Sequence, residues 1–136
     1  MSSATLFRPH GNFSVYVHEQ ILLTEVTGPW NRELVDYWAE QAFVLAQQFS
    51  RERPYVAVTE VYESMLCPPD ALERIGRAVA YTNQHLPSVG QCIVAAPSVE
   101  GRDLLKSLYE KIQFAQIFET REQALEWARH RLGLAP

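Results

Sequence analysis

The chain has 136 residues, of which 47% are hydrophobic and 21% charged, and its formal net charge is −4. This composition is typical of one soluble domain with a sizeable core, and the acidic balance argues against general nucleic-acid binding and against charge-driven docking to an anionic membrane. No run of about 18 apolar residues is present, so a membrane-spanning helix is excluded.

Two strands open the predicted fold. Residues 1–11 are expected to be loose, and residues 13–19 ("FSVYVHE") then alternate apolar and polar side chains, which is the period of a half-exposed strand. Residues 21–27 ("ILLTEVT") follow so closely that an antiparallel hairpin joins the two strands. Gly28 and Pro29 end the second strand.

The pattern then becomes helical. Between residues 31 and 50 apolar side chains recur every three or four positions, at Leu34, Trp38, Ala42, Leu45 and Phe49. Three further strands are predicted at residues 54–61, 91–97 and 115–120. Three further helices are predicted at residues 70–86, 99–112 and 121–132. Caps or left-handed stops are expected at Asn31, Asp70-x-x-Glu73, Ser98, Thr120-x-x-Gln123 and Gly133.

The predicted order of elements is β-β-α-β-α-β-α-β-α. The later strand runs are short and nearly continuous in apolar character, as expected when both faces of a parallel sheet are covered. Each helix is long enough to provide a crossover between parallel strands. The sequence therefore predicts one α/β domain over residues 12–133, with a mixed, mostly parallel five-stranded sheet and four helices.

Three stretches carry a resemblance to a known family. The hairpin "GNFSVYVHEQILLTEVTGPWN", the strand "GQCIVAAP" and the ending "IFETREQALEWARHRLG" resemble the SpoIIAA-like, or STAS-like, small α/β domains of bacteria, including members of uncharacterised function. The resemblance extends over residues 12–133 and implies the fold just predicted. It also implies a non-enzymatic regulatory module that acts through a protein partner.

The resemblance draws attention to Ser64. In the anti-sigma-factor antagonists of this superfamily, a Ser or Thr at the start of the helix after the third strand is phosphorylated by a partner kinase. Here Glu63 precedes Ser64, but no second Ser and no Gly follow, and the helical pattern begins only near Asp70. The favoured interpretation is therefore a solvated loop serine, with phosphorylation as the alternative.

No catalytic constellation is visible in the sequence. The four histidines lie apart from one another and from other ligand types, so no metal site is predicted. Cys67 is the most exposed-looking nucleophile, and a nearby helix N-terminus could lower its pKa, but no histidine lies near it in sequence. Phosphate- and dinucleotide-binding motifs are absent, and no cofactor is predicted. Two cysteines are too few for a disulfide framework, and no secretion signal is recognisable, so we expect a cytoplasmic location.

The loops at the carboxyl ends of the parallel strands are the candidate functional region. Ligands tend to bind at this edge of open α/β sheets, which here comprises residues 27–31, 60–69 and 97–101. The candidate surface residues are Trp30, Tyr62, Ser64, Met65 and Cys67. A surface for a protein partner or for self-association is favoured. A cleft for a small hydrophobic ligand and plain core packing are the alternatives.

Overall fold

The computed structural model describes residues 12–112 and 115–134. Its elements follow the predicted order: β1 (Asn12–His18), β2 (Ile21–Thr27), α1 (Arg32–Ala46), β3 (Tyr55–Tyr62), α2 (Pro69–His85), β4 (Ser88–Val94), α3 (Arg102–Tyr109), β5 (Ala115–Phe118) and α4 (Arg121–Leu132). The predicted loose segment, residues 1–11, lies outside the described residues.

The five strands form one mixed sheet in the order β1-β2-β3-β4-β5. β1 is antiparallel to β2, and all other neighbouring pairs are parallel, which confirms the predicted fold class. Because the strands lie in chain order and crossovers share one hand, α1, α2 and α3 lie on the same face of the sheet. α4 packs on the opposite face, against β3, β4 and β5.

Each face of the sheet has its own core. The face of α1, α2 and α3 buries Val26, Leu34, Val35, Val61, Met65, Ile75, Val79, Ile93, Leu105 and Tyr109. The face of α4 buries Ile21, Leu23, Val56, Val58, Cys92, Val94, Ala124 and Ala128. Alternate residues of β2 and β3 therefore enter different cores, as the two-residue period of a strand requires. Covering both faces fixes the register of the central strands.

Three predicted helix ends are confirmed. The side chain of Asn31 accepts a hydrogen bond from the Leu34 backbone N–H at 3.0 Å, at the start of α1. Thr120 and Gln123 form the predicted capping box at the start of α4. Gly133 ends α4 with a φ of 72°, a left-handed conformation that glycine adopts at little cost.

Two predicted helix starts are wrong. α2 begins at Pro69 with Pro68 as its N-cap, so Asp70 lies inside the first turn and makes no side-chain cap. A proline in the first turn has no N–H to satisfy, which makes this start favourable without a capping side chain. α3 begins only at Arg102, after left-handed Gly101, and Ser98 lies in the preceding turn. Because the helix is shorter than predicted, residues 99–101 are free to form a loop.

Candidate functional site

Three loops follow the carboxyl ends of β2, β3 and β4, and we call them together the carboxyl edge. They comprise residues 28–31, 63–68 and 95–101. The expectation that these loops lie together is confirmed by backbone hydrogen bonds between them. Trp30 N–H donates to the Leu66 carbonyl at 2.9 Å, and Met65 N–H donates to the Glu100 carbonyl at 2.6 Å. The middle loop is thus fixed to both of its neighbours.

Gly28 allows the first two loops to approach closely. A Cβ atom at this position would lie 2.0 Å from the Ser64 carbonyl oxygen and 2.7 Å from Cδ1 of Trp30. Neither the neighbouring backbone nor the packed indole can move aside easily. The Gly28 N–H also donates to the Tyr62 carbonyl at 3.3 Å, where β3 ends. From the sequence Gly28 was predicted only to end the second strand, because its loop contact depends on a residue 36 positions away.

Ser64 fixes the middle loop from the inside. Its hydroxyl oxygen accepts a hydrogen bond from the Leu66 N–H at 3.1 Å, and its hydroxyl donates to Oε1 of Glu100 at 3.3 Å. The residue is only 5% exposed, so the expectation of a solvated loop serine is wrong. Burial follows from the short parallel bridge between Ser64 and Glu100, which continues the sheet beyond β3. Local sequence could not show this bridge because its two residues belong to different loops.

Trp30 and Met65 contribute to the core rather than to the outer surface. Both belong to the buried cluster under α1, α2 and α3. A cavity of about 20 Å³ lies beside Trp30, lined mainly by apolar side chains together with Thr24 and Thr59. This volume corresponds to roughly one water molecule. The cavity is therefore too small for a hydrophobic ligand of ordinary size.

Cys67 does not have the environment of an activated nucleophile. It is half-buried, and its burial raises the thiol pKa, with the nearby Asp70 carboxylate adding to the effect. A nearby helix N-terminus could have lowered this pKa, but burial has the opposite effect here. Cys92 is buried in the core, and burial raises its pKa as well. Neither thiol is favoured as a thiolate at neutral pH.

Three apolar side chains remain exposed at the carboxyl edge or directly beside it. Tyr62 is 42% exposed, Leu66 39% and Leu104 40%. In α3, Leu105 and Tyr109 occupy the core positions, whereas Leu104 is exposed to solvent. Leu66 lies beside Gly101, where a Cβ would come within 2.8 Å of its side chain. The exposed apolar side chains are thus carried by a backbone that hydrogen bonds and close contacts hold in place.

A charged cluster that was not predicted lies on the face of the sheet that α4 covers. Glu25 and Glu60 are paired neighbours on β2 and β3, and Arg121, the first residue of α4, bonds to both. Its Nη2 donates to Glu25 at 2.5 Å, and its Nε donates to Glu60 at 2.8 Å. The hydrogen bonds to Glu60 and then to Glu25 raise the pKa of Arg121. Burial, followed by the hydrogen bond with Glu60, raises the pKa of Tyr62.

The cluster anchors α4 to the sheet rather than forming a reactive centre. One guanidinium is shared by two carboxylates, and the Tyr16 hydroxyl donates to Glu25 at 3.2 Å. The side chain of Glu60 is only 15% exposed. Charge-assisted hydrogen bonds from one guanidinium thus engage both carboxylates at once. Local sequence gives no signal for it, because Arg121 lies 96 positions from Glu25 and 61 from Glu60.

Neither a metal-binding cluster nor a membrane-spanning helix is found in the parts of the chain that the structure describes. Within residues 12–112 and 115–134, no group of three or more His, Cys, Asp or Glu side chains could hold a metal ion. None of the helices described there is long and apolar enough to cross a membrane.

The architecture of the chain corresponds to a known fold. The chain has a SpoIIAA-like, or STAS-like, fold: an N-terminal hairpin that enters a mostly parallel sheet, with four helices on its two faces. It is similar to the crystal structure of an anti-sigma factor antagonist from Mycobacterium paratuberculosis, with a TM-score of 0.58 and 14% sequence identity. The similarity covers 88% of this chain and 94% of that chain. No protein-family model and no curated protein sequence matches the chain.

Proposed function

We propose that this protein is a cytoplasmic, non-enzymatic regulatory module that binds a protein partner through its carboxyl edge. A solved structure with a similar fold is described as an anti-sigma factor antagonist, which is a protein that acts on another protein. The chain adds no activated thiol and no metal-binding cluster among its described residues. Protein recognition needs neither, and depends instead on a shaped and partly apolar surface.

The observation that carries the proposal is the combination of rigidity and exposure at this edge. Tyr62, Leu66 and Leu104 present apolar surface to solvent, while hydrogen bonds between the loops hold the backbone beneath them. A preorganised surface loses little conformational entropy when it binds, so more of the contact energy appears as affinity. Exposed aromatic and aliphatic side chains on such a surface are typical anchors of protein interfaces.

In this function Ser64 is a structural residue rather than a phosphate acceptor. Its hydroxyl is buried and engaged with Glu100, so a kinase would have to open the loop to reach it. A phosphate at this position would also place a second negative group beside the Glu100 carboxylate. The hydrophobic-ligand alternative is less well supported, since the cavity beside Trp30 has only about 20 Å³.

Affinity purification from an extract of the organism that encodes the chain tests the proposal. The tagged wild-type chain is compared with Leu66→Glu at the edge and with Val44→Glu on α1. Val44 is the matched control because it is an aliphatic side chain with 65% exposure outside the edge. We expect one or more proteins to co-purify with the wild type and with Val44→Glu, and to be depleted at least about tenfold with Leu66→Glu. Equal recovery with both variants would contradict an interface at the carboxyl edge.

A further inference from the structure

A groove separates α1 from α2, away from the carboxyl edge. It has a volume of about 860 Å³ and reaches down to Leu22 and Tyr55 of the sheet. Ala42, Ala78 and Leu86 add to its apolar lining. Burial raises the pKa of the Tyr55 phenol to about 12, as expected in such apolar surroundings. The helices thus leave a sizeable groove open to solvent, with an apolar floor and with charged residues of both helices on its walls.

Two contacts between the helices bridge the groove. Nε of Arg74 on α2 donates to Oδ1 of Asp36 on α1 at 2.9 Å. Further along both helices, the rings of Phe43 and Tyr81 meet edge to face with their centres 6.1 Å apart. The two rings are also exposed, by 43% for Phe43 and 47% for Tyr81. The groove is therefore bordered by one ion pair and one aromatic pair, and the aromatic pair is available for further contacts.

Glu40 and Arg77 lie in sequence between these two contacts and line the same groove. Glu40 lies near the middle of α1, and Arg77 lies near the middle of α2. Both are exposed, and no ion pair or hydrogen bond of either side chain is found within the described residues. An acid on one wall and a base on the other thus face the groove without neutralising each other.

We propose that this face binds a second copy of the same chain about a two-fold axis through the groove. In a two-fold interface, residue i of one copy meets residue j of the other, and residue j meets residue i. Glu40 then pairs with Arg77 of the partner subunit, and Arg77 pairs with Glu40 of the partner subunit. Phe43 and Tyr81 supply the apolar contact beside these pairs.

Charge complementarity favours a second copy over an unrelated partner. A partner segment of a single sign would satisfy one wall of the groove and repel the other. A second copy offers one acid and one base at matching mid-helix positions, so both walls are satisfied at once. This surface lies on the helices of one sheet face and is separate from the carboxyl edge, so the proposal does not depend on the proposed function.

Charge reversal tests the dimer with the full chain. Sedimentation equilibrium at low salt should show a concentration-dependent dimer for the wild type. Glu40→Arg places two arginines opposite each other at both contacts, and Arg77→Glu places two glutamates there. Each variant alone should weaken dimerisation by at least about tenfold. Glu126→Arg, which is the same chemical change on exposed α4 across the sheet, should leave the dimer unchanged.

The decisive experiment is an equal mixture of Glu40→Arg and Arg77→Glu. In a mixed dimer, both contacts again join an arginine to a glutamate, so the mixture should regain the wild-type affinity. A chain that stays monomeric up to about 1 mM would overturn the proposal. So would a dimer that either single variant leaves intact, or two monomeric variants that fail to associate when mixed. Leu66→Glu should not alter the dimer, and Glu40→Arg should not alter partner capture, so the two proposals fail independently.

Discussion

Gly28→Ala is the sharpest test of how the carboxyl edge is built. The added methyl group would lie 2.0 Å from the Ser64 carbonyl oxygen, far inside van der Waals contact. Because that oxygen belongs to the backbone, relief requires the β2–α1 loop to separate from the β3–α2 loop. Such a separation would strain or break the hydrogen bond from Trp30 N–H to the Leu66 carbonyl.

The size of the effect follows from these contacts. Overpacking of a close-packed site costs about 1–3 kcal/mol, and one lost backbone hydrogen bond adds about 1 kcal/mol. We expect Gly28→Ala to lower the free energy of unfolding by about 3 kcal/mol. For a chain of 136 residues this corresponds to a fall in Tm of roughly 10 °C.

Gly76→Ala is the matched control. Its Cβ would lie 3.6 Å from Cδ1 of Leu108, which is an ordinary contact, and Gly76 lies inside α2. Alanine is favoured over glycine within a helix by about 0.5–1 kcal/mol, so this variant should be slightly more stable than the wild type. Urea denaturation of both variants gives the two values. Gly28→Ala with a stability within about 1 kcal/mol of the wild type would refute the close-approach argument.

Three further predictions concern the charged cluster, the buried serine and the half-buried thiol. Arg121→Met leaves Glu25 and Glu60 side by side without their shared cation, and should cost about 2 kcal/mol in urea denaturation. Arg121→Lys keeps the positive charge and should lose less stability than Arg121→Met. An equal loss of stability in the two variants would contradict the role of this charge. Ser64→Ala removes two hydrogen bonds and should cost about 1–2 kcal/mol, whereas an unchanged midpoint would rule out its structural role. Because burial raises the pKa of Cys67, iodoacetamide should modify its thiol more slowly than a free cysteine near neutral pH. As the pH rises above the ordinary thiol pKa, Cys67 loses its proton in the unfolded chain before it does so in the folded protein. The free energy of unfolding should therefore decrease as the pH rises through this range.

The order of the elements could be predicted because each element depends on the local periodicity of apolar residues. The two-residue period of β1 and the helical spacing of α1 depend on near neighbours, and so do the caps at Asn31 and Thr120. The start of α2 was mispredicted because Asp70 and Glu73 have capping-box spacing, although Pro68 and Pro69 already start the helix. Capping-box spacing in the sequence therefore does not by itself determine where a helix begins.

The site was less accessible to sequence analysis because its contacts are long-range. The sequence placed the three loops at one edge, but it could not show that Ser64 bonds Glu100 or that Gly28 approaches the Ser64 carbonyl. Burial of Trp30 and Met65 likewise depends on how the loops fold back over the core. The same folding of the loops leaves Leu66 exposed, so its exposure could not be predicted from the sequence.

Site-specific photo-crosslinking in intact cells tests most directly whether the carboxyl edge is a contact surface. Benzoylphenylalanine is introduced in place of Leu66 or Leu104, and in place of Glu126 on the opposite face as a control. We predict a covalent adduct with another protein from position 66 at the edge and from position 104 directly beside it, and none from the control. Adducts that form equally from all three positions, or that are absent from both position 66 and position 104, would contradict the proposed contact surface.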